Sequence, residues 1–236
     1  MDMNKYSRQM CLPKFDKDTQ QRLLSSKVAI VGVGGVGSPL SLYLASAGVG
    51  NIVLIDNDIV ELHNLQRQVL YRESEVGQLK SKLAAKKLYS INSDIKTTVY
   101  SERLTADNAK NMLEDCDLII DGTDNFASRY IISDTCIELK KPYIQITVDR
   151  FYGECSLYNH KSNINYRDIH KIIPEKSDVV SPKLRGVLGP LVGTVATIGA
   201  TQVLKLLGGF VDPYIGKIIY DALEFKIIKI PFVKKL

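Results

Sequence analysis

The chain has 236 residues, 45% hydrophobic and 24% charged, with four cysteines and a formal net charge of +5. This is the composition of an ordinary globular protein long enough to bury a core, which excludes a scaffold dependent on disulfides or structural metal. The charge is mild and shows no basic run or aromatic-interleaved patch, which argues against nucleic acid as a partner, while it suits steering of a polyphosphate or an acidic protein.

Asp16 to Ser25 reads as a short polar helix. Lys27 to Val31 is a continuous apolar run ending in glycine, the pattern of a strand buried on both faces of a parallel sheet. The turn Gly32-Val33-Gly34-Gly35-Val36-Gly37 follows, then a helix through Pro39 to Ala45. Pro39 is tolerated in the first helical turn, and Gly48 and Gly50 mark the stop. Ile52 to Ile55 is a second strand ending on Asp56, so strand, helix and strand form a βαβ unit of about thirty residues. Gly77 to Ile91 reads as a helix with a basic face of Lys80, Lys82, Lys86 and Lys87. Ile95 to Tyr100 is a third strand, and Thr105 caps a helix to Glu114. Leu118 to Asp121 is a fourth buried strand, running into Gly122-Thr123-Asp124-Asn125 and a helix to about Leu139. Tyr143 to Thr147 is a fifth strand.

The β-α alternation stops there. Gly153 to Tyr158 reads as a hairpin strand, and Ile218 to Tyr220 with Phe225 to Ile230 as a terminal pair. Between them lie a polar segment, His160 to Arg185, and an apolar helix from about Pro190 to Leu207. The expectation is a single α/β domain with a Rossmann-like, doubly wound, mostly parallel sheet extended by antiparallel strands. Residues 1–150 form its nucleotide-binding core and residues 151–236 its antiparallel extension. Gly186 to Leu204 carries no charge, yet its glycines, proline and threonines suit a buried helix better than a membrane span. Cys11, Cys116, Cys136 and Cys155 are scattered without C-x-x-C spacing, and no apolar signal segment opens the chain. The expected location is therefore a reducing cytoplasm.

In an open α/β sheet, ligands bind beyond the carboxyl ends of the strands where strand order reverses. The glycine turn, Asp56 and Asp124 all fall at strand ends and are read as one site. Gly32, Gly34, Gly35 and Gly37 let the backbone approach a phosphate or adenosine, with the helix N-terminus adding partial positive charge. Asp56 is the ribose acid, spaced as in a dinucleotide fingerprint. Asp58 either shares that role or serves as a turn residue. The cluster Asn64-Leu65-Gln66-Arg67-Gln68 has no use in hydride transfer. It suits attack on the α-phosphate of ATP, where charge building on the phosphate must be neutralised and a guanidinium offers a planar fork. Lys80 at a helix start opposes the helix dipole, which hints at a ligand role. Asp124 suits Mg²⁺ held together with substrate phosphates.

Six motifs occur in order: Arg8-Gln9, the glycine turn, Asn64 to Gln68, Val76-Gly77-Gln78-Leu79-Lys80, Asp121 to Phe126, and Gly186-Val187-Leu188-Gly189-Pro190-Leu191-Val192-Gly193. Together they resemble the ThiF/MoeB/HesA family, relatives of the ubiquitin-activating enzymes, over nearly the whole chain. The resemblance implies an adenylyltransferase that uses ATP and Mg²⁺ to activate the C-terminal glycine of a ubiquitin-fold sulfur carrier ending in Gly-Gly, in thiamine or molybdopterin synthesis. By position, Asn64, Arg67 and Lys80 match residues on the ATP phosphates and Asp124 the residue tied to Mg²⁺. Gln68 and Asn125 fall within the same nucleotide-contacting motifs. Arg8 matches an arginine that reaches the ATP of the opposite subunit of a homodimer. A sulfur-donor protein is the further partner implied.

The chain departs from the family pattern in two places. Asn165-Tyr166-Arg167-Asp168 stands where a first zinc-binding cysteine pair would fall, and Pro231 to Leu236 carries no second pair, so no structural zinc is expected. Ser181-Pro182-Lys183-Leu184-Arg185 lacks the cysteine many relatives carry, so no covalent step through that position is expected. Residues 160–185 are expected to form a mobile crossover loop near the carrier's tail. Two other readings stay open: adenylation of a different carboxylate, peptide- or RNA-linked, and a dinucleotide-binding oxidoreductase or a nucleotide-binding protein without chemistry.

Overall fold

The computed structural model describes residues 3–161, 164–171 and 186–233. A 3-10 turn (Met3–Tyr6) leads into α1 (Ser7–Met10), α2 (Lys17–Ser25), β1 (Lys27–Val31), α3 (Gly37–Ala47) and β2 (Asn51–Ile55). Then come α4 (Lys80–Ile91), β3 (Lys96–Tyr100), α5 (Ala106–Leu113), β4 (Leu118–Asp121), α6 (Phe126–Glu138) and β5 (Tyr143–Asp149). β6 (Tyr152–Tyr158), α7 (Tyr166–Ile169), α8 (Gly189–Gly208), β7 (Gly216–Asp221) and β8 (Lys226–Pro231) follow. The strands form one sheet in the order β3-β2-β1-β4-β5-β6-β7-β8. Pairing is parallel from β3 to β5 and antiparallel from β5 to β8, as the α/β reading expected.

Val28 to Val31 of β1, Ile52 to Ile55 of β2 and Leu118 to Ile120 of β4 are continuous apolar runs because both faces of the sheet are covered. Ile30, Leu40, Leu54 and Val192 belong to one buried cluster, and Val31, Ile55, Leu113 and Ile132 to another. Each such side chain contributes roughly 1.5–3 kcal/mol when fully buried. α8 packs on α3, β5 and β6. It is long and apolar enough to cross a membrane, but half of its most apolar stretch is buried inside the chain. The remainder of that stretch is uncovered in a single chain.

Several boundaries differ from the sequence reading. α4 starts at Lys80, not Gly77, because Gly77 turns at φ +88° and Leu79 bridges to Ile59 in extended conformation. Asp16 is the cap of α2, accepting the Thr19 N–H at 2.8 Å. Phe225, at φ +50°, belongs to the β7–β8 hairpin turn. Asn165 caps α7 inside the segment read as irregular. Residues 172–185 lie outside the described residues, including Ser181 to Arg185 and most of the expected crossover loop.

Candidate active site

β1 ends at Val31 and the chain turns through Gly32, at φ +86°, a conformation open to glycine at no steric cost. A Cβ there would lie 3.0 Å from the Gly122 carbonyl oxygen, so the turns after β1 and β4 rest on each other where strand order reverses. Gly37 opens α3 so close to the turn that a Cβ would sit 2.1 Å from the Gly32 carbonyl oxygen. Gly34 and Gly35 face side chains instead. Their missing Cβ atoms would lie 3.4 Å from Gln68 Nε2 and 3.2 Å from Val192, with Arg67 Cγ at 3.6 Å. Gly32 and Gly37 make the turn possible; Gly34 and Gly35 let Gln68, Val192 and the Arg67 stem pack down onto it.

The segment over that turn is folded by Asn64, whose carbonyl accepts the backbone N–H groups of Arg67 and Gln68 at 3.1 and 3.0 Å. α8 abuts it: a Cβ at Gly189 would lie 2.4 Å from the Gln66 carbonyl oxygen. Arg67 lays its aliphatic stem over Gly35, and its Nη1 donates to the His63 carbonyl at 3.2 Å. It makes no ion pair among the described residues. Asn64 and Gln68 are buried, yet Asn64 Oδ1 and Gln68 Oε1 have no partner among the described residues. A buried acceptor left unpaired costs about 1–3 kcal/mol, and a ligand donor reaching either oxygen would recover it.

Asp56, after β2, already shapes the turn. Its Oδ2 accepts the Val33 N–H at 2.7 Å and its Oδ1 the Asp58 N–H at 2.8 Å. Each oxygen keeps acceptor capacity for a ribose hydroxyl. Burial raises its pKa above the ordinary value, opposed by the Asp58 amide, the Lys80 charge and the Val33 amide. Asp58 is exposed; its Oδ2 lies 3.2 Å from Lys80 Nζ, and its carbonyl accepts the Lys80 N–H at 3.0 Å. The buried Lys80 is thus held at the helix N-terminus by a solvent-facing carboxylate, a weak tie that a phosphate can replace. Ser81 Oγ donates to the Asp56 carbonyl at 2.8 Å. The Tyr71 hydroxyl reaches the Val33 carbonyl at 2.7 Å and the Lys80 carbonyl at 3.3 Å.

β4 ends on the fully buried Asp121, read from sequence as the end of a strand and the start of the Asp121–Phe126 motif, with no role of its own. One carboxylate oxygen accepts from Thr123 N–H and Oγ1 at 2.9 and 2.7 Å, and the other faces Gln145 Nε2 at 3.4 Å. Burial pushes its pKa up, against the pull of Arg129 and the Thr123 and Gln145 hydrogen bonds. Asp124, in the turn anchored this way, is exposed and makes no hydrogen bond or ion pair among the described residues. Asn125 Oδ1 caps α6 by accepting the Ser128 N–H at 2.9 Å, which leaves its side-chain N–H groups for a ligand. Among the described residues no three His, Cys, Asp or Glu side chains converge to hold a metal. One carboxylate beside bound phosphates is an ordinary Mg²⁺ arrangement, and Asp124 fits it.

Arg8 is not brought to this cluster. It is exposed on α1, and its neighbour Gln9 donates to the Ala47 carbonyl at 2.9 Å, at the far end of α3. At 1.5 Å per residue that end lies about 16 Å from the glycine turn.

Residues 6–235 match the model of the ThiF family. The chain is 39% identical to a probable molybdopterin-synthase adenylyltransferase of Porphyra purpurea, over 98% of this chain and 63% of that protein. It is 40% identical to the adenylyltransferase and sulfurtransferase MOCS3 of Arabidopsis thaliana, over 96% of this chain and 49% of that one. It therefore spans 49–63% of the length of these relatives. The crystal structure of E. coli MccB with ATP matches with a TM-score of 0.81 at 26% identity, covering 98% of this chain and 71% of that one. Fold, ordered motifs and sequence identity agree: the chain belongs to the ThiF family.

Proposed function

We propose that this chain is an ATP-dependent adenylyltransferase that activates the C-terminal glycine of a ubiquitin-fold sulfur carrier. The observation that carries the reading is Arg67, whose stem lies over the glycine turn and whose guanidinium has, among the described residues, only a carbonyl as partner. A cation so placed meets phosphate rather than nicotinamide. The similarity to E. coli MccB, solved with ATP, favours ATP in the same way. The carrier's carboxylate oxygen attacks the α-phosphorus, the bond to the bridging β-phosphate oxygen breaks, and an acyl adenylate and pyrophosphate result. Two anions must be brought together, so catalysis is positioning and charge neutralisation with little need for a general base. Arg67 and Lys80 carry that neutralisation, the glycine turn and Asp56 hold the adenosine end, and Asp124 would hold Mg²⁺ with the phosphates. The names of the Porphyra and Arabidopsis relatives support a sulfur carrier as the acceptor.

We infer further that the active form is a homodimer. Arg8 lies too far from its own cluster to serve it, and the uncovered side of α8 borders a depression of about 400 Å³ lined by Gln9, Tyr43, Thr197 and Leu204. A second copy seated there would bring Arg8 towards the neighbouring site.

The test is ATP–pyrophosphate exchange with a carrier ending in Gly-Gly. Exchange is expected to need the carrier and to fall about 10²–10³-fold in Arg67→Ala and Asp124→Ala, the range for removing one stabiliser of transition-state charge. Equal exchange without any such carrier would move the reading to another carboxylate. Exchange untouched by both substitutions would remove these residues from the site.

A further inference from the structure

The peptide unit at the centre of the glycine turn is held from both ends. Val33 donates its N–H to Asp56, and its carbonyl accepts the Tyr71 hydroxyl. That hydroxyl also touches the carbonyl of Lys80, the first residue of α4. Tyr71 is buried, and these two carbonyls, 38 and 9 residues away in sequence, are the partners of its hydroxyl. Lys87 lies over the ring, 5.7 Å from its centroid, and is itself fixed by Glu75 and the Leu70 carbonyl.

We propose that Tyr71 is a positioning residue that ties the floor of the nucleotide site to Lys80, so that the turn under the nucleotide and the lysine beside it are set by one hydroxyl. This rests on the nucleotide reading above. Phenylalanine would fill the same space; only the hydroxyl links the two carbonyls. Without it the buried Val33 carbonyl loses its partner, and the turn and the start of α4 stay joined only through Asp56, which accepts the Val33 N–H and the Ser81 hydroxyl, and through Asp58, whose carbonyl accepts the Lys80 N–H. Burial raises the Tyr71 pKa far above its ordinary value, so the hydroxyl is a donor at every working pH.

The experiment compares the wild-type chain with Tyr71→Phe. Calorimetric titration with Mg-ATP is expected to show affinity about tenfold weaker in the variant, because a turn left looser in the free chain must be ordered on binding. In exchange assays kcat/KM for ATP should fall by a similar factor, while KM for the carrier stays within about twofold. A merely structural role would lower Tm and the active fraction but leave the ATP affinity of folded molecules unchanged, and that result overturns the proposal. Wild-type chain that fails to bind Mg-ATP would instead overturn the nucleotide reading itself, and the role of Tyr71 with it. Should Tyr71→Phe not fold, deuterium exchange on the wild-type chain decides. In the chain free of nucleotide, residues 32–38 and 79–83 are expected to exchange with one common opening free energy, and independent opening of the two segments would sink the link.

Discussion

Asp121 shows how one enclosed carboxylate can shape a turn and cost stability together. Its oxygens gather Thr123 and Gln145, so the Thr123–Asp124 turn has a fixed base. Its enclosure raises its pKa above the ordinary aspartate value of 3.8. The sign of the consequence follows from proton counting. Just above 3.8 the unfolded chain has released this proton while the folded chain still holds it, so the folded state binds more protons. Stability therefore falls as pH rises from the unfolded value to the raised folded value, and above that the penalty is constant. Asp121→Asn removes the titration while keeping an oxygen for Thr123. The difference in urea midpoint, variant minus wild type, should grow from acid towards neutral pH. A difference independent of pH would show that Asp121 does not titrate across that window.

At the scale of elements, the glycine turn and α3 test two distinct uses of glycine within six residues. A methyl group at Gly37 would strike the Gly32 carbonyl, a backbone atom that no rotamer can move. Gly37→Ala is expected to cost at least about 3 kcal/mol in urea unfolding, the upper range for overpacking. A methyl group at Gly34 would meet only the end of the Gln68 side chain at 3.4 Å. Gly34→Ala should stay within about 1 kcal/mol of wild-type stability and instead weaken ATP binding, because it displaces the Gln68 side chain from its place over the turn. Reversal of the two outcomes would exchange their assigned roles. The same contrast explains what the sequence made legible. β1, β2 and β4 stood out as apolar runs because both sheet faces are covered, and the glycines, Arg67 and Lys80 stood out because their motifs are local. Tyr71 and Asp121 did not, since their roles depend on partners 38 and 24 residues away that only the folded sheet brings near. The start of α4 was misplaced because Val76-Gly77-Gln78 carries no breaker stronger than a glycine, and Gly77 takes its positive φ from the turn around it.

The whole molecule leaves two features unmatched within one chain: the outward side of α8, and Arg8 at the opposite end of α3 from the glycine turn. The proposed two-fold dimer would account for both, because an isologous interface presents each face to its own copy and would carry each Arg8 towards the other chain. Tyr43, exposed on α3 beside the depression, offers the first check. Tyr43→Glu would bury a charge between the copies and should give monomers by light scattering, with exchange lost although Tyr43 is remote from the nucleotide cluster. The decisive measurement mixes two inactive chains, Arg8→Ala and Arg67→Ala, under conditions of subunit exchange. If Arg8 serves the other chain, a mixed dimer has one site with both arginines intact and one with neither. Random pairing of equal amounts then restores about a quarter of wild-type exchange, since half the dimers are mixed and half their sites are whole. If Arg8 served its own chain, every site in every dimer would lack one arginine, and mixing would restore nothing. Activity near a quarter therefore places Arg8 across the interface, and none places it at home.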